Sequence, residues 1–165
     1  MNESPSIKRC LVADDVRASR ELISRLLAER DIVCTCVADG KLAMDEVSRG
    51  IYSFVISDIE MPNVNGLELL SFIRRHDDPS INKMPVVMIS SLQDKKMVEV
   101  VRRFGANGVL GKPLDRSIFE SFLNAVRQGA QWFDGYSDGL DDRQNLILVS
   151  PKLRRIATEL SGEPD

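Results

Sequence analysis

Between Cys10 and Gly129, short apolar runs alternate five times with longer segments of helical periodicity, and no other feature narrows the fold as far. The runs occupy residues 10–13, 32–37, 52–57, 85–89 and 108–111. The segments between them carry apolar residues three and four apart. Leu22, Ile23, Leu26 and Leu27 mark the first, Leu42, Ala43 and Val47 the second, and Leu67, Leu70 and Ile73 the third. Met97, Val100, Val101 and Phe104 mark the fourth, and Ile118, Phe119, Phe122, Leu123 and Val126 the last, which Asp115 is placed to cap. Such spacing puts each set on one stripe of a helix, and an Asp side chain before a helix accepts from the free amides of its first turn. Strands joined by crossover helices pair in parallel with right-handed crossovers, so the chain is predicted to be a (βα)5 domain of the α/β class.

Composition narrows the function rather than the fold. With 165 residues, 43% hydrophobic and 28% charged, the chain can bury a core without disulfides or a structural metal. A net charge of −3 gives no field that attracts a polyanion, so no direct nucleic-acid binding is expected. The apolar runs 86–89 and 146–149 are too short to cross a bilayer, and the opening Met-Asn-Glu-Ser-Pro has no signal-peptide core, so a cytoplasmic chain with no membrane contact is expected. Cys10, Cys34 and Cys36 read as reduced thiols acting as small core residues. A zinc site needs further nitrogen or sulfur ligands, and the single histidine, His76, lies among Arg74, Arg75, Asp77 and Asp78, where it reads as a solvent-exposed helix-end residue.

In parallel α/β sheets, ligands bind beyond the carboxyl ends of the strands. The polar residues at those ends are Asp14 and Asp15 after the first strand, Asp58 after the third, Ser90 after the fourth and Lys112 after the fifth. Singly, each has an ordinary explanation as a turn, a helix cap or a solvated charge. Together they describe a pocket. Three carboxylates in one place repel unless a cation sits among them, and Mg2+ is satisfied by one or two carboxylates, waters and a phosphate oxygen. Asp58 is then placed as a nucleophile towards phosphorus, with Lys112 neutralising the transferred oxygens and the Ser90 hydroxyl meeting another.

These residues occur with the segment Asp58-Ile-Glu-Met-Pro-x-x-x-Gly66, with Gly105-Ala-Asn-Gly108 and with Lys112-Pro113. In that combination and order the chain resembles, over about residues 7–128, the receiver domain of two-component response regulators, the family of the bacterial chemotaxis receiver. The resemblance implies a flavodoxin-like sheet of strand order 2-1-3-4-5 and a receiver spanning 1–128. It implies that Asp58 is the phosphoacceptor in a phosphorelay, forming an aspartyl phosphate, and that Asp15, Asp58 and the main-chain carbonyl of Glu60 are the Mg2+ ligands, with Asp14 acting through a metal-bound water. It implies that Ser90 and Lys112 bind the phosphoryl group, and that the peptide before Pro113 is cis.

The implied partners are a histidine kinase or phosphotransfer protein and a downstream protein bound through the fourth helix, fifth strand and fifth helix; a homodimer is left open. On this reading the chain is not an enzyme beyond its own phosphorylation and dephosphorylation, whose persistence the family tunes at the positions of Glu60 and Leu92. Two positions depart from the family pattern: Val109 stands where an aromatic switch residue is usual, and Ser91 where alanine is common. Output is therefore expected to rest on the loop 90–93 and the fourth helix. The alternatives are a pseudo-receiver that works without phosphorylation, and an aspartate-nucleophile phosphatase of the haloacid-dehalogenase type, although Glu60 stands where that family wants a second aspartate.

Residues 129–165 change character. The stretch after Gly129 is rich in turn formers and acid and reads as a linker, after which Ser150-Pro151 opens a short amphipathic helix on Leu153, Ile156, Ala157 and Leu160, expected to fold back on the domain. Other readings are a dimerisation or docking element anchored by Trp132, Phe133 and Tyr136, or the start of a longer output domain at Lys152, Arg154 and Arg155.

Overall fold

Strands covered by helices on both faces are apolar on both faces, and this sheet is built that way. A computed structural model describes residues 9–91, 95–127 and 132–133. In chain order the elements are β1 (Arg9–Ala13), α1 (Arg17–Ala28), β2 (Val33–Val37), α2 (Gly40–Val47), β3 (Phe54–Asp58) and α3 (Gly66–Arg74). They continue with α4 (Pro79–Asn82), β4 (Val86–Ser90), α5 (Lys95–Arg103), β5 (Gly108–Gly111), α6 (Arg116–Arg127) and β6 (Trp132–Phe133). The sheet order is β2-β1-β3-β4-β5-β6, every pairing parallel, and its first five strands follow the flavodoxin-like order 2-1-3-4-5.

Successive strand residues point to opposite faces. Leu11, Val55, Val86, Met88 and Val109 therefore join Ala43, Leu67, Leu70 and Val101 from α2, α3 and α5 in one core layer. Cys10, Val12, Ile56, Val87, Ile89 and Leu110 join Ile23, Leu27, Phe119 and Phe122 from α1 and α6 in the other. Because β1, β3 and β4 are central, Asp14, Asp58 and Ser90 emerge side by side at one edge of the sheet, which is what places a site there.

Capping fixes the helix starts. Asp39 accepts from the Leu42 amide at 2.9 Å and Asp115 from the Ile118 amide at 3.0 Å, while Asn65 and Glu68 form a reciprocal capping box at the start of α3.

Five particulars differ from the sequence reading. The polar stretch after α3 contains the one-turn helix α4, begun by Asp78 and Pro79, so the predicted fourth and fifth helices are α5 and α6. Trp132 and Phe133, read as linker or anchors, form a two-residue strand beside Gly108 and Val109, as a sixth βα step would place them. His76 is half-buried rather than exposed: its ring packs edge-on to Phe72 and its Nδ1 accepts from the Asp78 amide. Leu42, counted on the buried stripe of α2, is 47% exposed. Of the three thiols only Cys10 is core; Cys34 is half-buried and Cys36 exposed, because β2 is an edge strand. The expected tail helix and Tyr136 lie outside the described residues.

Candidate functional site

Asp14 is fully buried and held on three sides. Its Oδ1 accepts from the Val16 amide at 2.9 Å, its Oδ2 from the Ser19 hydroxyl at 2.6 Å, and its Oδ2 lies 2.9 Å from the Lys112 ammonium. The Arg20 guanidinium donates to its main-chain oxygen at 2.7 Å. Ser19 and Arg20 were not among the residues singled out from sequence; their signal was their position, one helical turn beyond the aspartate pair. Asp15, the next residue, is exposed.

Asp58, at the end of β3, is 8% exposed, and its Oδ2 accepts from the same Lys112 Nζ at 3.0 Å. One carboxylate oxygen from each of Asp14, Asp15 and Asp58 lies within 4.8 Å of the others. Burial pushes the Asp58 carboxyl above the ordinary aspartate value; Lys112 opposes this, and the charges of Asp14 and Asp15 add to it. Burial pulls the Lys112 ammonium down, but its hydrogen bonds to Asp14 and Asp58 and their charges outweigh that and leave it above the ordinary lysine value.

Ser90 ends β4 at 5% exposure, and its carbonyl accepts from the Lys112 amide at 2.9 Å, which ties the ends of β4 and β5 together beside the carboxylates. The Lys112–Pro113 peptide is cis. Val109 is buried in the core layer shared with α5. Ser91 is exposed, whereas Leu92 and the rest of the loop to Asp94 lie outside the described residues.

The segment after Asp58 is pinned at both ends. The Ile59 carbonyl accepts from the Gly66 amide at 2.8 Å, and the Val64 carbonyl from the Gly40 amide at 3.1 Å. Both glycines are needed for contact: a Cβ on Gly66 would sit 2.1 Å from the Asp58 carbonyl oxygen, and one on Gly40 would sit 2.2 Å from that of Val64. Glu60 is exposed within this clamped turn, two residues beyond Asp58.

The arrangement brings three carboxylates and one ammonium together, leaving an excess of two negative charges, with Asp14 and Asp58 buried and Asp15 open to solvent. Oxygen-rich groups of this kind suit a hard divalent cation and disfavour soft metals. Among the described residues, no helix is long and apolar enough to cross a membrane.

Residues 10–124 match the sequence profile of the response regulator receiver domain. Among curated proteins, the chain is 30% identical over 128 residues to the 3',5'-cyclic-nucleotide phosphodiesterase regA of Dictyostelium discoideum, covering 76% of this chain and 16% of regA. It is 32% identical over 106 residues to the sensory/regulatory protein RpfC of Xanthomonas campestris, covering 64% of this chain and 15% of RpfC. The chain thus spans a small part of these relatives. Among solved structures, the chemotaxis response regulator CheY4 of Vibrio cholerae superposes with a TM-score of 0.68 at 23% identity, over 73% of this chain and 99% of CheY4. The receiver domain of the Francisella response regulator 1452 does so with a TM-score of 0.67 at 24% identity, over 74% and 98%. At those identities the likeness carries the fold alone.

Proposed function

We propose, from the premise that this chain belongs to the response regulator receiver domain family, that Asp58 accepts a phosphoryl group from a phosphohistidine donor and that the phosphorylated chain signals through altered protein binding. The observation that carries the reading is the single ammonium of Lys112 shared between Asp14 and Asp58 at 2.9 and 3.0 Å, beside the exposed Asp15.

An Asp58 carboxylate oxygen forms the new bond to phosphorus as the donor's phosphorus–nitrogen bond breaks, and the electron pair leaves with the imidazole. Asp15, Asp58 and the Glu60 main-chain carbonyl would hold Mg2+, with Asp14 acting through a bound water; the metal supplies charge neutralisation at the transferred oxygens. Asp14, anchored by Val16 and Ser19, keeps the cluster negative without moving. Lys112 passes from pairing with Asp58 to pairing with a phosphoryl oxygen, and the Ser90 hydroxyl, at the neighbouring strand end, donates to another.

With Val109 in place of an aromatic side chain, output runs through the loop 90–93 and α5 rather than through a ring on β5. The donor is a histidine kinase or phosphotransfer protein, and the downstream target binds the α5–β5–α6 face. Residues 1–128 act as the receiver, in the cytoplasm, and 129–165 as its extension.

The test is incubation of the full chain with acetyl phosphate and Mg2+, followed by intact mass. The native protein is expected to gain one phosphoryl group and Asp58→Asn none. Equal labelling of both, or no labelling of the native chain with Mg2+ present, refutes the assignment.

A further inference from the structure

The residues that form the acidic site leave unused a pair of thiols on the edge strand β2, beside α1. Cys34 and Cys36 lie two apart on edge strand β2, so both point to the same face, and their sulfurs are 3.4 Å apart. Cys36 is exposed and lines a shallow, open depression of about 430 Å3 against α1, together with Arg17, Arg20, Ser24, Glu21 and Arg25. Three guanidinium groups against one carboxylate leave this depression with two positive charges in excess.

We infer that Cys36 is a redox modification site, at which an anionic low-molecular-weight disulfide of the glutathione class docks among Arg17, Arg20 and Arg25 and forms a mixed disulfide with the Cys36 sulfur.

Reactive cysteines are partly exposed thiols in electropositive surroundings, because the thiolate is the nucleophile. Cys36 meets both conditions by position. The hydrogen bond with Cys34 lowers its thiol to about 7; burial opposes this, and Arg20 and Ser24 assist it. The same bond, with burial, pushes the Cys34 thiol up. Arg17, Arg25 and Glu21 are the other charged groups there; Arg17 pairs with Glu21 at 2.8 Å, and the excess positive charge favours an incoming carboxylate.

In the exchange, the Cys36 thiolate attacks one sulfur of the disulfide, the new sulfur–sulfur bond forms as the old one breaks, and the departing thiolate takes up the proton that Cys36 released. The Cys36 sulfur is oxidised and the departing sulfur reduced. The mixed disulfide persists because closure onto Cys34 is opposed by the backbone. Two residues of an extended strand span about 6.6 Å between Cα atoms, at the upper limit for a disulfide, and β2 is held by β1 with Cys34 opposite Cys10 and Cys36 opposite Val12. Arg20 belongs both to this depression and to the support of Asp14, so the adduct lies beside the first aspartate's anchor.

The test treats the full reduced chain with oxidised glutathione and, separately, with the uncharged 2-hydroxyethyl disulfide, reading intact mass and peptide maps over time. The expected product carries one glutathionyl group on Cys36, reversed by dithiothreitol and absent in Cys36→Ser. At pH 7 a thiol with half its population ionised reacts about threefold faster than an ordinary one, after allowing for its lower intrinsic nucleophilicity. The doubly substituted Arg17→Gln, Arg25→Gln protein is expected to react about threefold or more slowly with glutathione disulfide and unchanged with the neutral disulfide. Modification at Cys10 or Cys34 instead, a product two hydrogens lighter with Cys34 joined to Cys36, or identical rates in the arginine variant each overturn the inference.

Discussion

Replacing Lys112 with methionine removes an ammonium while keeping most of the side chain's apolar length, so it isolates the charge. That charge sits 2.9 Å from Asp14 and 3.0 Å from Asp58, with Asp14 fully buried and the lysine side chain 20% exposed. Removing one partner of a buried ion pair costs 3–5 kcal/mol because the other charge is left uncompensated, and residual solvent access to the lysine places this case at the low end, about 3 kcal/mol. For a chain of this size that is roughly 10 °C in Tm. The assay is thermal and urea unfolding in chelator and in Mg2+. In chelator, Lys112→Met is expected to lose about 3 kcal/mol, and adding Asp58→Asn to recover about 1–2 kcal/mol, since one of the crowded like charges is gone. A cation at a hundred times its Kd adds about 2.7 kcal/mol, and Mg2+ is expected to stabilise Lys112→Met more than the native chain, because the lysine no longer competes for Asp58. If Lys112→Met is as stable as the native protein without divalent ions, or if Asp58→Asn deepens its loss, the carboxylates are not coupled through this lysine and the reasoning fails.

Gly66→Ala brings a methyl group to 2.1 Å from the Asp58 carbonyl oxygen and 2.9 Å from the Ile59 Cα, so backbone must move; a loss of about 3 kcal/mol is expected in urea unfolding, together with slower uptake of phosphoryl from acetyl phosphate. The Tyr52 hydroxyl donates to Glu46 and is the main cause of that carboxyl's lowered pKa. A carboxyl held below its unfolded value stabilises the fold above that value and stops doing so as pH falls through the folded pKa. The stability gap between native protein and Tyr52→Phe is therefore expected to shrink as pH falls below the ordinary glutamate value of about 4.3, and a gap independent of pH in thermal melts would show that the bond has no such role.

The strands and long helices were legible because each is long enough to repeat its period: the runs 52–57 and 85–89 read as strands, observed at Phe54–Asp58 and Val86–Ser90, and Phe119, Phe122, Leu123 and Val126 mark the buried side of α6. The four-residue α4 and two-residue β6 contain less than one useful period and were passed over, although Asp78-Pro79 carried a helix-start signal. The charged cluster was legible as strand-end residues, since the fold puts all such positions on one edge. Its supporting contacts were not, because Ser19 and Arg20 reach Asp14 through side-chain directions that a linear spacing does not encode. The exposure of Cys36 failed for a related reason: an apolar run looks the same whether its strand is central or at the edge, and β2 is at the edge.

At the far end of the strands, Arg74 donates to the carbonyls of Asn82, Met84 and Gly105 and to the Asn107 side chain, which in turn accepts from the Val86 amide. One guanidinium thus bolts the roots of β4 and β5 to the last turn of α3. On the proposed function, a rearrangement that follows phosphoryl transfer at the opposite tips has a fixed base, which favours a pivot of the tips and of α5 over a slide of one strand along another.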